Sequence, residues 1–375
     1  MIPELGMETR SLEYSSQNKS AYEHIVKWRK NIFQILKGTV GKPFVDETAH
    51  SIDGWCQKTS VREIAFMAIT IMPNLLLQKT SNTAKSKDNK DTLKRRLDLW
   101  KSGKIDALVR EGDAIQRRIP AYTYSDNSID EKAKRFKNLI ISGKINPALR
   151  LLKDDLSAGS ILPINNESLE LLHEKHPKAR PLYDELILEG PVNKIERVIF
   201  DAITPELIQK IALKSKGAAG PSLLDAEEWK RMIGSKTFGN SGLDLCRSIA
   251  SFAKILATDV IEDPESLTAF LACRLIPLDK NPGLRPIGIG ELLRRITGKA
   301  ITSVLKNEMM SAAGTLQLCV GIESGVEANV HSMREIFAED DTEGVIQVDA
   351  NNAFNTFNRS VLLHNIWILC PEIAT

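Results

Sequence analysis

Two short β-rich runs, Arg274-Leu-Ile-Pro-Leu278 and Leu284-Arg-Pro-Ile-Gly-Ile289, flank the stretch Asp279-Lys280-Asn281-Pro282-Gly283. Proline fixes φ and glycine tolerates positive φ, so the link reads as a turn and the flanks as the strands of a hairpin. Much of the remaining chain has apolar residues at helical spacing. The pattern predicts a predominantly helical α+β protein built around one hairpin. That ribbon carries Lys280 and Arg285. Cations on a mobile element suit a nucleoside triphosphate, whose charge must be held and whose pyrophosphate must then be released.

Helical expectations follow from local spacing. From Glu291 to Met310, Leu292, Leu293, Ile296, Ala300, Ile301, Val304, Leu305 and Met309 share one stripe, while Arg294, Arg295, Lys299 and Lys306 lie largely off it. This predicts a core-packed helix with a basic outer face. Upstream, the glycine-rich run from Lys214 to Asp225 leads into a helix, with Asp225 and Glu228 spaced as a capping box and Trp229, Met232 and Ile233 on the buried side. A helix is expected over Ala21–Leu36 and another after a Ser60 cap, whereas Thr80–Asn89 is polar and reads as a loop. Lys94-Arg95-Arg96 is the densest point of a basic stretch, Lys79–Arg118. It fits either contact with a nucleic-acid backbone or a solvated helix face, since Asp98, Asp106, Glu111 and Asp113 are interspersed. A second cluster, Lys132-Ala-Lys134-Arg135-Phe136-Lys137, has the same two readings. Residues 1–205 are thus expected to be a partly basic helical region of unassigned role.

Composition narrows the class. A net charge of +2 does not by itself mark a nucleic-acid binder, although a local patch suffices for phosphate. The cysteines Cys56, Cys246, Cys273, Cys319 and Cys370 show no paired spacing, which argues against a zinc module or disulfide framework and suits a reducing compartment. The longest apolar run, Ile64–Leu77, is too short to span a bilayer, and the N-terminus lacks a signal-peptide pattern. The expectation is an intracellular protein of cytoplasm or nucleus with no membrane partner. His173-Glu-Lys-His176 lacks the zincin spacing, and Gly41-Lys42-Pro43 lacks the hydroxyl residue of a phosphate loop.

One further element bears on chemistry. Gly344-Val-Ile-Gln-Val-Asp349 reads as a short strand ending in a carboxylate, followed by a turn and a helix over Ser360–Leu369. Phosphoryl transfer by two metal ions needs carboxylates placed in this way, though an isolated Asp here also serves simply to start a turn. The order of the pieces resembles the fingers and palm motifs of retrotransposon reverse transcriptases: Gly-Pro-Ser before a helix, Ile-Pro-x-x-Lys with Arg-Pro-Ile, Gln317-x₃-Gly321-x₃-Gly325, then Val-Asp-x₃-Ala-Phe-Asn. The resemblance covers about Lys214 to Thr375.

That resemblance implies RNA-directed DNA polymerization with Mg²⁺, a template-primer of RNA or DNA, and dNTPs. It implies that Asp349 is a catalytic metal ligand with the Ala350 carbonyl beside it. Phe354 would exclude a 2′-hydroxyl, Lys280 and Arg285 would contact the triphosphate, and Gln317 and Gly321 would lie near the nucleotide platform. It also sets residues 206–375 as fingers and a first palm strand, ending before the Tyr-x-Asp-Asp pair. Neither Asp340-Asp341 nor Asp154-Asp155 has the strand context of that pair, so an inactive fragment is expected. The alternative is a non-catalytic nucleic-acid-binding remnant of a retroelement; a template-dependent RNA polymerase fits less well, given Phe354. Two positions depart from the family pattern. Asn355 follows the Ala-Phe pair, and Leu223 stands where glycine is common, which would be strained if the site needs positive φ.

Overall fold

Apolar stripes at helical spacing set most of the architecture. The computed structural model describes residues 19–59, 62–81, 85–119, 129–141, 145–152, 158–178, 187–191, 195–280, 283–315, 317–318, 320–344, 346–350 and 352–374. The chain runs through α1 (residues 19–25), α2 (Lys42–Cys56), α3 (Ala65–Leu76), α4 (Ser86–Lys101), α5 (Ile105–Gln116), α6 (Ile129–Ile141) and α7 (Ile145–Leu152). After β1 (Ala158–Ile161) come α8 (Asn166–Glu174), α9 (Pro205–Lys214), α10 (Ala226–Gly234), α11 (Ser241–Thr258) and α12 (Thr268–Leu271). The hairpin is β2 (Cys273–Lys280) and β3 (Leu284–Gly290), followed by α13 (Leu292–Val304) and α14 (Lys306–Ala313). Last are α15 (Gly325–Ala338), α16 (Ala353–Thr356), α17 (Arg359–Leu369) and α18 (Pro371–Ala374). The described chain is mostly helical, as expected.

The core is organised on α11, which buries Leu245, Cys246, Ile249, Phe252 and Ala253 and packs against α2, α9, α10 and α13. Beside it Trp55, Phe66, Phe252 and Phe270 form a tilted and edge-to-face aromatic cluster with centroids 4.8 to 5.8 Å apart. Each such ring contributes about 1.5–3 kcal/mol by leaving water. One continuous apolar cluster runs from Ala21 to Leu305, so residues on either side of position 205 share a core. Beyond Leu305 the packing thins. Among the described residues there, only Gly325, Cys370 and Pro371 are buried.

The hairpin forms as the turn residues predict, with Cys273 opposite Gly290 and Asp279 opposite Leu284. β1 joins the other edge of β2, antiparallel, giving the order β1-β2-β3. Pro277 and Pro286 face each other across the ribbon. The ladder tolerates them because this rung is not a hydrogen-bonded pair: the Pro277 carbonyl turns towards β1 and accepts the Leu162 amide at 3.0 Å. Pro286 therefore directs its nitrogen to the outer side of β3.

Several local expectations are corrected. Ala21–Leu36 is helical only as far as Ile25; Phe33 and Ile35 are buried alternately in an extended stretch whose amides bond Leu77 O (2.8 Å) and Glu228 Oε2 (3.0 Å). The proposed loop Thr80–Asn89 gives way to α4 at Ser86, because Asp88 accepts the Lys85 amide at 2.9 Å. Ser60 lies outside the described residues. The Glu291–Met310 helix is two helices broken at Leu305. Gly344–Asp349 does not form a strand: its described residues are irregular, with Ile346 92% and Val348 86% exposed. A strand needs a neighbour for its amides and carbonyls, and among the described residues none pairs with this stretch.

Candidate nucleic-acid interface

The hairpin ladder fixes which side chains share a face, because residues opposite one another project together and successive residues alternate. Arg285 lies opposite Leu278, Ile287 opposite Ile276, and Ile289 opposite Arg274. By alternation Lys280 joins this face. Arg274, Lys280 and Arg285 thus occupy one side of the ribbon, with Lys280 and Arg285 exposed. Among the described residues neither of those two has an ion-pair partner. Arg274 was not singled out from sequence, though the parity of positions 274, 280 and 285 about a short turn was enough to find it.

At the foot of the ribbon the loop 214–223 is held against α13. Glu291, buried, accepts the Ser222 amide at 2.6 Å and the Ser222 hydroxyl at 2.7 Å. Burial pushes the Glu291 carboxyl above the ordinary value, opposed by the Ser222 hydrogen bonds and by the charges of Arg295 and Arg274. One turn along, Arg295 donates to the Lys216 and Ala218 carbonyls at 3.2 and 2.5 Å. A Cβ on Gly220 would lie 2.8 Å from Glu291 Cα, so only glycine permits this approach. Leu223 follows at φ +65° with its side chain buried, so the positive-φ site is real and a leucine occupies it. Lys214 and Lys216 stay exposed. Sequence reasoning passed over Glu291 and Ser222, since nothing local marks two residues 69 positions apart as partners.

The other candidate residues separate into groups. Arg96 is 1% exposed, with its guanidinium bonded to Glu111, Leu76 O and Gln78 O, and Arg95 pairs with the same Glu111 at 2.7 Å. Arg96 therefore leaves the expected basic face and pins α4 to α5; Lys94 remains exposed. Arg294 donates to Leu271 O at 3.0 Å, and Lys299 is exposed on α13. In the second basic cluster, Lys134 and Lys137 are exposed on α6.

Gly321 takes φ +72° beside Met310 and Lys306, where a Cβ would meet Met310 Cγ at 2.6 Å; Gln317 is exposed nearby in sequence. Asp349 and Ala350 are exposed in the irregular stretch, and Phe354 is 88% exposed on α16. No hydrogen bond or ion pair among the described residues joins Asp349 to Lys280 or Arg285. A two-metal centre draws on several carboxylates, and among the described residues no group of three or more His, Cys, Asp or Glu side chains is gathered. The described residues do not by themselves fit a Mg²⁺ centre. Also among the described residues, no helix is long and apolar enough to cross a membrane.

No protein-family model, curated protein or solved structure matches this chain.

Proposed function

We propose that this chain is a reverse transcriptase-like protein of a mobile element, and that its hairpin binds the phosphates of a nucleic-acid template-primer and of an incoming dNTP. The observation that carries this reading is the shared ribbon face of Arg274, Lys280 and Arg285, with Lys280 and Arg285 exposed. A polyanion gains most from cations that are unpaired and already arranged together. The motif order that resembles reverse transcriptases supplies the identity of the polyanion; the ribbon face supplies only its charge. RNA-directed DNA polymerization belongs to the lineage. Asp349 is exposed and, among the described residues, gathered with no other metal-ligating side chains, which favours the second reading, a binding role without catalysis.

Fluorescence anisotropy with a labelled RNA–DNA primer-template tests the proposal. Lys280→Ala and Arg285→Ala are each expected to weaken binding about 3–10-fold and to lower the salt slope by about one. Unchanged affinity in both variants would overturn it. A primer-extension assay with Mg²⁺ and dNTPs is expected to give no product, and extension that is abolished by Asp349→Ala would replace the binding reading with a catalytic one.

A further inference from the structure

We infer that Glu291 is a positioning residue, one that locks the glycine-rich loop 215–223 onto the base of the hairpin and so fixes Lys216 as a further phosphate contact at the ribbon's foot. This rests on the polyanion-binding reading above and adds a residue with no direct ligand contact.

Geometry supports the assignment in three ways. Glu291 occupies the N-cap position of α13 yet caps nothing with its side chain; both carboxylate oxygens turn to Ser222 instead. Arg295, one turn later, grips the Lys216 and Ala218 carbonyls, so the loop is fastened at both ends to the same helix. The backbone at Gly220 is pressed against Glu291 itself, at a distance that no side chain could share. Burying a carboxylate is unfavourable unless its oxygens are satisfied, and this one is satisfied by a loop and not by its own helix. Tyr22 from α1, Arg274 from β2 and Arg295 from α13 are the other charged or titratable groups around it. Helix start, hairpin base and loop thereby become one rigid junction. The lysines at the loop's near end are exposed, while Ala219 to Leu224 are buried. Lys214 is held by α9 itself, but without the clamp Lys216 would sample many positions and pay ordering entropy on binding.

The test is a double-mutant cycle on the full chain, with the labelled primer-template as probe and several salt concentrations. Lys216→Ala is expected to weaken wild-type binding about threefold and lower the salt slope by about one. Glu291→Gln and Ser222→Ala should each reproduce most of that loss, and Ser222→Thr should restore binding. In the Glu291→Gln background, Lys216→Ala should add less than about twofold, because coupled residues are not additive. A purely structural role would lower the melting temperature and leave salt slope and coupling unchanged, which would overturn the inference. Should Glu291→Gln fail to fold, the Ser222→Ala and Ser222→Thr pair gives the same answer. If Lys280→Ala weakens binding while Glu291→Gln and Ser222→Ala do not, the polyanion reading stands and the clamp falls. If the wild-type chain binds no nucleic acid, both fall.

Discussion

At the scale of single residues, buried charge and positive φ are where this chain departs from simple local rules. Leu223 holds φ +65° with its side chain in the core. The left-handed conformation costs a non-glycine residue about 1–2 kcal/mol. Removing a buried leucine costs about 2–5 kcal/mol. Leu223→Gly is therefore expected to destabilise, by about 1–3 kcal/mol net, and a urea-denaturation midpoint that rises would contradict this. Glu111 gives a pH dependence. Burial alone would raise its carboxyl, but hydrogen bonds and charges from Arg95 and Arg96 outweigh it and hold the group below its ordinary 4.5. A depressed folded-state pKa means that the unfolded chain binds the proton more readily, so this stabilisation is complete above the ordinary value and is lost as pH falls through the folded one. Glu111→Gln should flatten the acid side of the melting-temperature profile below about pH 5; a profile parallel to wild type would remove the assignment. At neutral pH, Arg96→Ala should cost about 3 kcal/mol, since it leaves Glu111 and two carbonyls short of a donor.

At the scale of elements, caps, stripes and the hairpin were legible locally, while the ends of helices often were not: Ala21–Leu36 turns extended after Ile25, and Leu305 breaks the helix expected over Glu291–Met310. The Asp225 cap of α10 is present, its carboxylate accepting the Glu227 and Glu228 amides at 3.1 and 3.2 Å. The α13 stripe is buried at Leu292, Leu293, Ile296 and Ala300, and the two runs flanking the Asp-Asn-Pro-Gly segment do pair as a hairpin. Glu228 was half legible: its spacing from Asp225 suggested a reciprocal cap, but its carboxylate serves the Ile35 amide across the core. Elements that depend on a distant partner escaped. Ala158–Ile161 has poor strand formers and becomes a strand only because β2 offers an edge. The stretch before Asp349 has good strand formers, yet its described residues stay irregular, with no such edge among the described residues. α15 shows the same dependence, with Val326, Val330, Met333 and Phe337 along one side and all exposed. Truncating Val330 or Phe337 to Ser should change stability by under about 0.5 kcal/mol, whereas Ile296→Ala should cost about 2–5 kcal/mol. Equal losses in thermal melts of the two kinds of variant would show that α15 packs against the core after all.

At the scale of the molecule, α2 and α3 from the first half and α11 to α13 from the second close around one apolar cluster. Residues 206–375 expressed alone should therefore lack a cooperative melting transition, and a sharp two-state melt of that piece would show that the halves are separable. Trp55 and Trp229 are both buried, one in each half, so their fluorescence should report the same midpoint as circular dichroism in the full chain. The hairpin that presents the cations also has a long rim. A sheet rim with free amides recruits strands from other copies, which is how β-proteins aggregate. Pro286, third of the 7 residues of β3, puts a ring and a missing donor where a fourth strand would have to bond. The same residue that leaves the ladder intact thus also works against a fourth strand, and so against growth of the sheet by copies of itself.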